Sequence, residues 1–237
     1  MKAMILAAGK GTRLGDLTRT VPKVLQDING KSILRRAVEK CTESGFDEII
    51  VNVHHFAGMV IDEVSRLNRI GYKISVSDET VTLLETGGGL QKARYFFDSN
   101  PFLLYNADIV TDIDLKKLLA YHNEKKGIAT LAVRNREGSR FFLVNREGLL
   151  RGWVNRATGE KILVDNNKEE LAELAFSGLH IIEPEIFRYM YEGIYTMTSL
   201  YLELASAHRI NTLTVNTGYW FDIGTPEKLQ EARKYLR

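Results

Sequence analysis

The stretch MILAAGKGTRL (residues 4–14) opens the chain, and Pro22 and Lys23 follow it closely. An apolar run leads into a loop with two glycines and a hydroxyl, so several backbone N–H groups can turn toward one concavity with no Cβ in the way. Arg13 adds a planar guanidinium and Lys23 a compact ammonium, and together these suit a flexible polyanion such as a triphosphate. The stretch therefore predicts a phosphate cradle after a first strand.

The spacing of this loop excludes two common nucleotide motifs. A dinucleotide-binding loop needs a third glycine where this chain has Leu14. A Walker A loop needs Gly-Lys-Ser/Thr at its end, and none is present. A lone pair of glycines could also simply shape a strand-to-helix turn, so the rest of the chain has to decide between these interpretations.

Composition predicts one compact enzyme-sized domain. The chain has 237 residues, 44% of them hydrophobic, and a net charge of +2 from 32 basic and 30 acidic residues. This balance argues against a nucleic-acid partner, and no apolar run is long enough to cross a membrane. Cys41 is the single cysteine, which excludes an intrachain disulfide and favours a buried thiol in a reducing, cytoplasmic setting.

Periodicity predicts alternating strands and helices over the first 135 residues. Strands are expected at 2–7, 48–53, 72–76, 102–105 and 128–133, and helices at 33–41, 58–67, 89–97 and 115–122. Ser32 is a candidate helix cap. Strands separated by helices indicate βαβ units, hence a mainly parallel twisted sheet with helices on both faces, a Rossmann-like three-layer α/β sandwich.

The pattern changes after residue 136 and predicts a small antiparallel lobe. Apolar runs at 141–144, 149 onward and 174–182 read as strands, and the first two are joined by a glycine-containing turn. Helices at 184–189, 199–208 and 226–235 and a strand at 213–215 complete the chain, with Thr225 as cap of the last helix. We expect a single domain, 1–237, with a first part (1–135) that contains the cradle and a second part (136–237) that closes the fold.

Two aspartates are expected at the carboxyl edge of the sheet, where open sheets bind ligands. Asp108 directly follows the buried run at 102–105, and Asp222 follows an aromatic run and precedes Thr225. Either could instead cap a helix, but Asp112, Asp114 and Thr225 are better placed for capping. Two carboxylates from separate strands would suit Mg²⁺, which completes its shell with water and phosphate oxygens.

These motifs together resemble the signature of the sugar-1-phosphate nucleotidyltransferases. The resemblance rests on LAAGKGTRL (6–14) with PK (22–23), NAD (106–108) and WFDIGT (220–225), and it runs along essentially the whole chain. Ala107 stands where many members carry glycine. ETGGG (85–89) and FSG (176–178) look most like the branch that uridylates N-acetylmuramate 1-phosphate. Three consecutive glycines alone would indicate only a surface loop.

The resemblance implies the nucleotide-diphospho-sugar transferase fold, with residues 1–135 as the nucleotide-binding part and residues 136–237 as the sugar-binding and closing part. It also assigns roles to particular residues. Arg13 and Lys23 would be catalytic, and Asp108 and Asp222 would hold Mg²⁺. Nucleotide contacts are expected from Leu6, Ala7, Ala8, Gly9, Gly11, Thr12, Thr86, Gly87, Gly88 and Asn106. Sugar contacts are expected from Glu85, Gly89, Ser177 and Gly178. The partners implied are an NTP and a sugar 1-phosphate.

The implied reaction joins an NTP to a sugar 1-phosphate, giving an NDP-sugar and pyrophosphate. The resemblance of residues 7–9 and 85–89 to the uridylyl branch implies UTP with N-acetylmuramate 1-phosphate or a related sugar. The Cβ of Ala8 would also narrow the space beside the base, which favours a pyrimidine. The alternatives are a guanylyltransferase acting on mannose or heptose 1-phosphate, a cytidylyltransferase acting on phosphocholine, a regulatory subunit without activity, and a glycosyltransferase of similar fold. Retention of all four charged motif residues argues against the regulatory subunit, and the residue 9–13 loop argues against the glycosyltransferase.

Overall fold

The computed structural model describes residues 1–9, 11–165 and 169–236. Its strands are β1 (Lys2–Leu6), β2 (Asp27–Ile28), β3 (Lys31–Ser32), β4 (Glu48–Val53), β5 (Lys73–Asp78), β6 (Phe102–Asn106), β7 (Ile109–Thr111), β8 (Ala129–Arg134), β9 (Arg140–Val144), β10 (Leu150–Asn155), β11 (Glu160–Leu163), β12 (Ala172–Ile182), β13 (Ile210–Thr214) and β14 (Trp220–Asp222). Its α-helices are α1 (Ile33–Glu43), α2 (Ala57–Arg69), α3 (Glu85–Lys92), α4 (Leu115–Lys125), α5 (Met197–Leu204) and α6 (Pro226–Tyr235).

The main sheet combines a parallel part with an antiparallel lobe. Strands β5, β4, β1 and β6 lie side by side and parallel, and β8 pairs with β13 in the same sense. Strand β12 runs antiparallel to β6, β8 and β9, and β9, β10 and β11 continue outward as an antiparallel extension. The carboxyl ends of β1 and β6 are therefore adjacent, which brings the residues that follow them to one edge.

Helices cover both faces of the sheet, so the molecule has three layers as the sequence predicts. Alternate residues of the strands face opposite layers, since Ala3 and Ile5 pack in one core cluster and Met4 in the other. Helices α1, α2 and α4 contribute to the first cluster, and α3 and α5 contribute to the second. Their buried residues recur at helical spacing, which is what docks an amphipathic helix on a sheet.

A third, smaller core fixes the end of the chain beside the cradle loop. Leu229 and Ala232 of α6 pack against Ile28, Val110 and Phe221. Strand β14 pairs antiparallel with β7, and Asp222 is the residue opposite Ile109. This two-stranded pairing brings the 220–225 motif back to the end of β6.

Most predicted elements are confirmed, and the misses have physical reasons. Ser32 and Thr225 cap α1 and α6 as expected, Cys41 is buried, and Asp114 caps α4. The helix predicted at 89–97 begins at residue 85 instead and ends at 92. Residues 184–188 form a 3₁₀ turn where an α-helix was expected. The short strands β2, β3, β7, β11 and β14 were not predicted, because two to four residues give no measurable period.

None of the helices among the described residues is long and apolar enough to span a bilayer.

Candidate active site

The cradle loop follows β1 and is tied to the sheet edge at several points. Residues 12–18 form a 3₁₀ segment whose Leu14 is buried, which leaves Arg13 exposed at the surface of the cleft. Gly11 has a φ of +65°, and a Cβ there would lie 2.9 Å from the Cβ of Lys23. Glycine at this position therefore allows the loop to lie directly against the lysine.

The loop forms one wall of a cavity of about 410 Å³. Most residues predicted to bind the nucleotide line it. Together with the other lining residues they are Leu6, Ala7, Ala8, Gly9, Gly11, Thr12, Arg13, Lys23, Val24, Asn52, Leu83, Glu85, Thr86, Asn106, Asp108 and Gly224. A cavity of this size at the carboxyl edge of a parallel sheet is a typical ligand site.

Lys23 and Asp108, which line this cavity, form a charged cluster with Asp222. The Nζ of Lys23 lies 2.6 Å from Oδ2 of Asp108 and 3.9 Å from Oδ1 of Asp222. The Lys23 side chain is only 9% exposed, whereas those of Asp108 and Asp222 are 30% and 37% exposed. The backbone N–H of Ile223 donates to the carbonyl of Asp108 at 2.9 Å, which locks the two motifs together. The predicted juxtaposition of Asp108 and Asp222 is therefore present.

The electrostatics of Asp222 fit a cation site. Burial raises the pKa of Asp222 above its usual range and the nearby Asp108 raises it further, while Lys23, Arg13 and Arg136 act in the opposite direction. Its Oδ1 is buried and accepts no hydrogen bond. An unsatisfied carboxylate oxygen beside a second carboxylate is the oxygen donor set that a hard divalent cation uses. The described residues contain no cluster of three or more acidic, histidine or cysteine ligands, so water and phosphate would have to complete the shell.

A buried network that sequence reasoning missed links the two walls of the cavity. The backbone N–H of Ala7 donates to Oδ1 of Asn52 at 2.7 Å, and Nδ2 of Asn52 donates to Oε1 of Glu79 at 2.8 Å. The other oxygen of Glu79 accepts from the backbone N–H of Leu84 at 3.2 Å. Glu79 is fully buried, and this burial raises its pKa. The network holds the end of β1 and the start of α3 at a fixed separation. Nothing in the sequence around Glu79 marked it for this role.

The glycine-rich stretch is placed differently from the prediction. Glu85 and Thr86 line the nucleotide cavity, but Gly87, Gly88 and Gly89 lie inside α3 and are buried. A Cβ at Gly87 would lie 2.4 Å from the ring of Tyr195, and one at Gly89 would lie 2.7 Å from Oε1 of Glu79. The glycines therefore permit close packing of α3 against the protein itself. The N–H of Gly87 is already used, because it donates to the carbonyl of Tyr195 at 2.8 Å.

A second cavity of about 250 Å³ opens on the lobe side of the carboxylates. Its walls are mainly aromatic, with two arginines. The lining residues are Asn106, Asp108, Ile109, Arg136, Arg140, Phe141, Phe142, Trp153, Phe176, Gly178, Thr198, Trp220 and Asp222. Aromatic faces with a few polar groups are the usual lining of a sugar site. Sequence reasoning missed Arg136, Arg140 and Trp153, since an isolated charged or aromatic residue on a strand or in a connecting loop carries no local signal.

Only Gly178 among the predicted sugar contacts lines this second cavity. Ser177 is fully buried and lines neither cavity, and its carbonyl accepts from Nε1 of Trp220 at 2.9 Å. Gly89 is buried within α3, and Glu85 lines the nucleotide cavity. Ser177 and Gly89 therefore lie outside the lining of the second cavity, and their sugar contacts stay predictions.

Comparison with known proteins agrees with this geometry. The family model described as nucleotidyl transferase matches residues 2–237. The N-acetylmuramate alpha-1-phosphate uridylyltransferase of Neisseria meningitidis is 31% identical over 242 residues, covering 98% of this chain and 97% of that protein. The mannose-1-phosphate guanylyltransferase catalytic subunit beta of Xenopus tropicalis is 30% identical, covering 96% of this chain and 62% of that protein.

Solved structures share the fold. The crystal structure of HddC from Yersinia pseudotuberculosis, complexed with GMP-PN, superimposes with a TM-score of 0.79 and covers 100% of this chain and 99% of that chain, at 22% identity. The family match spans nearly the whole chain, and the cradle loop, Lys23 and Asp108 line one cavity. The chain belongs to the nucleotidyl transferase family and is a sugar-1-phosphate nucleotidyltransferase.

Proposed function

We propose that the chain transfers a uridylyl group from UTP to N-acetylmuramate 1-phosphate or a closely related acidic sugar. The charge of the second cavity carries this proposal. Arg136 and Arg140 line it, and no carboxylate of the described residues lies within ion-pair distance of either guanidinium. Its only described acidic residues are Asp108 and Asp222, which we assign to a metal ion. N-acetylmuramate carries a lactyl carboxylate that neutral hexoses lack, and an arginine fork binds a carboxylate well.

The preference for UTP rests on the shape of the nucleotide cavity beside the cradle loop. Ala8 lines this cavity and is only 5% exposed, so its methyl group is held by its surroundings and occupies space next to the bound ligand. A pyrimidine needs less room than a purine. We therefore assign UTP ahead of GTP and expect Ala8→Gly to relax the preference.

The mechanism follows from placing two polyanions next to each other. An oxygen of the sugar phosphate attacks the α-phosphorus in line, the bond to the β-phosphate breaks, and pyrophosphate leaves with the electron pair. The attacking phosphate is already anionic near neutral pH, so no general base is required. Arg13 holds the β- and γ-phosphates, and Lys23 donates to the α-phosphate or the sugar phosphate. Catalysis then rests on positioning and neutralisation of charge.

Asp108 and Asp222 would hold Mg²⁺ in this scheme. The unpaired Oδ1 of Asp222 and the adjacent carboxylate of Asp108 supply the oxygen ligands. When bound, the ion supplies positive charge to the phosphate oxygens. The cytoplasmic location expected from the sequence stays a prediction.

A substrate screen tests the proposal. Each NTP is paired with N-acetylmuramate 1-phosphate, N-acetylglucosamine 1-phosphate, mannose 1-phosphate, heptose 1-phosphate and phosphocholine, and pyrophosphate release is measured. We expect the highest kcat/KM with UTP and N-acetylmuramate 1-phosphate. Arg140→Gln should lower this value about tenfold and leave N-acetylglucosamine 1-phosphate unchanged, since the two acceptors differ only in the lactyl group. Faster turnover of GTP with mannose or heptose 1-phosphate, or of CTP with phosphocholine, would show that the substrate assignment is wrong.

A further inference from the structure

A third cleft, of about 600 Å³, lies on the other side of Arg13 from the nucleotide cavity. Its charged lining residues are Arg13, Arg134, Arg136, Glu137, Asp222 and Lys228. Arg13 and Gly224 line both this cleft and the nucleotide cavity, so the two spaces meet at the cradle loop. Neither the motifs nor the catalytic scheme above uses Arg134 or Lys228.

Arg134 is the most informative residue of this cleft. It is only 8% exposed, and its Nη1 is buried without a hydrogen-bond partner. Its guanidinium lies 5.7 Å from the ring centroid of Trp220, and the nearby Asp112 interacts with it electrostatically without forming an ion pair. Burying a guanidinium nitrogen with no carboxylate or carbonyl to accept its N–H is costly. A buried donor of this kind in a native fold indicates that a bound anion accepts its hydrogen bond.

Arg136 repeats this arrangement beside the same tryptophan. Its guanidinium lies 4.5 Å from the Trp220 centroid, and its Nε is buried without a partner. Its terminal nitrogens do have partners, the carbonyls of Glu137 and Phe176. The side chain is therefore held in place while its Nε is unsatisfied. Burial lowers the pKa of both arginines, but a guanidinium stays charged at every physiological pH.

The negative groups near the cleft act on Arg134 and Arg136 from a distance and form no ion pair with them among the described residues. The carboxylates of Glu137 and Asp222 line it, but neither forms an ion pair with Arg134 or Arg136 among the described residues. Lys228, in the first turn of α6, is paired with Glu231 at 2.7 Å and is half exposed. The cleft therefore has an excess of positive charge beside a helix N-terminus, an environment that favours a multiply charged anion.

We propose that this cleft receives pyrophosphate as it leaves the reaction centre. The family reaction breaks the bond between the α- and β-phosphates, and the leaving group departs from the Arg13 end of the nucleotide cavity. Arg134 and Lys228 then bind the two phosphate groups after Arg13 releases them, and Arg136, which lines both this cleft and the second cavity, adds its charge at the boundary between them. The inference rests on the nucleotidyl transfer reaction, and not on the identity of the base or the sugar.

Calorimetry distinguishes pyrophosphate binding in this cleft from pyrophosphate binding in the nucleotide cavity, provided that the nucleotide cavity is already filled. The chain is saturated with Mg²⁺ and the α,β-methylene analogue of UTP or GTP, whichever it uses, so that the β- and γ-phosphates of the analogue occupy Arg13. Pyrophosphate is then titrated. We expect one further pyrophosphate per chain, with Arg134→Gln weakening it at least tenfold and Arg134→Lys weakening it less.

Arg156→Gln is the matched control, because Arg156 pairs with Glu173 at 2.7 Å and lies outside the cleft. It should bind pyrophosphate as the wild type does. Arg136→Gln provides a second variant in case Arg134→Gln does not fold, and thermal unfolding of each variant is measured alongside. The proposal is overturned if the analogue-saturated wild type binds no pyrophosphate, or if folded variants of both arginines bind it with unchanged affinity. A failure of forward turnover with every acceptor would instead refute the proposed reaction.

Discussion

Adding one methyl group at Gly9 and, separately, at Gly88 tests whether the glycines of the two motifs serve the ligand or the fold. A Cβ at Gly88 would lie 2.0 Å from the carbonyl oxygen of Gly193 and 3.0 Å from the Cβ of Leu84. A Cβ at Gly9 would have no atom within 4 Å, and Gly9 lines the nucleotide cavity. We expect Gly88→Ala to reduce stability and Gly9→Ala to reduce nucleotide binding.

The magnitudes follow from the geometry. A backbone oxygen cannot move aside as the end of a side chain can, so the Gly88 methyl group should cost about 1–3 kcal/mol of overpacking. Helix propensity returns up to about 1 kcal/mol, because alanine is the better helix former. Because the clash is with a backbone atom at 2.0 Å, the cost lies at the upper end of its range, and the net loss of about 2 kcal/mol corresponds to a fall in Tm of about 4–8 °C for a domain of this size. Gly9→Ala should leave Tm within about 2 °C of the wild type.

Two measurements on each variant decide the matter: thermal unfolding without ligand, and NTP affinity by calorimetry below the unfolding range. Gly9→Ala is expected to lose at least tenfold in NTP affinity, since its methyl group enters the space of the phosphates. Gly88→Ala is expected to keep its affinity within about threefold while it is folded. A Gly88→Ala variant as stable as the wild type but deficient in nucleotide binding would refute the packing role and restore the direct contact that the sequence predicts.

Three further predictions concern charge. Asp108→Asn and Asp222→Asn should fold but lose about 100-fold or more in turnover, and EDTA should reproduce this loss in the wild type until Mg²⁺ is added; full activity in chelator would disprove the metal assignment. Arg13→Ala should lower turnover more than NDP-sugar affinity, because the leaving pyrophosphate is absent from that complex, whereas Lys23→Ala should lower both; equal losses of affinity would mean that the roles are misassigned. Burial lowers the pKa of His180 to about 3 from 6.5, so the folded state resists its protonation. Stability is complete above the ordinary pKa and falls as the pH drops from 6.5 toward 3, by about 2 kcal/mol at pH 5, and urea unfolding of His180→Gln should show that this part of the acid sensitivity is gone.

The sequence predicted those helices that begin with a capping residue and have a regular pattern of apolar residues. Ser32 and Thr225 start α1 and α6 because their hydroxyls accept backbone N–H groups, and this chemistry is visible in the letters. Asp108 and Asp222 each follow an apolar run, and this position in the sequence was enough to predict that both lie at one edge of the sheet.

Features set by tertiary contact could not be predicted in this way. Gly87, Gly88 and Gly89 are poor helix formers, yet they lie within α3 because only glycine fits against residues 193–195 and Glu79. The pairing of β7 with β14 joins segments about a hundred residues apart and involves three residues on each side. The lack of a hydrogen-bond partner for Nη1 of Arg134 depends on how several segments pack around it, and no single position in the sequence records that.

Strand β12 has a consequence for how acceptor specificity can change. Its residues 179–182 pair with β6 beside the nucleotide half, and its residues 172–174 pair with β9 of the lobe, so one continuous strand is built into both. Swinging the lobe as a rigid body would break ladder hydrogen bonds along that strand instead of bending a loose connection. The sheet therefore fixes the distance from the two carboxylates to the aromatic walls of the second cavity. A new acceptor has to be accommodated by substitution of lining residues such as Arg140 and Trp153, which changes the shape of the cavity and leaves the strands in place.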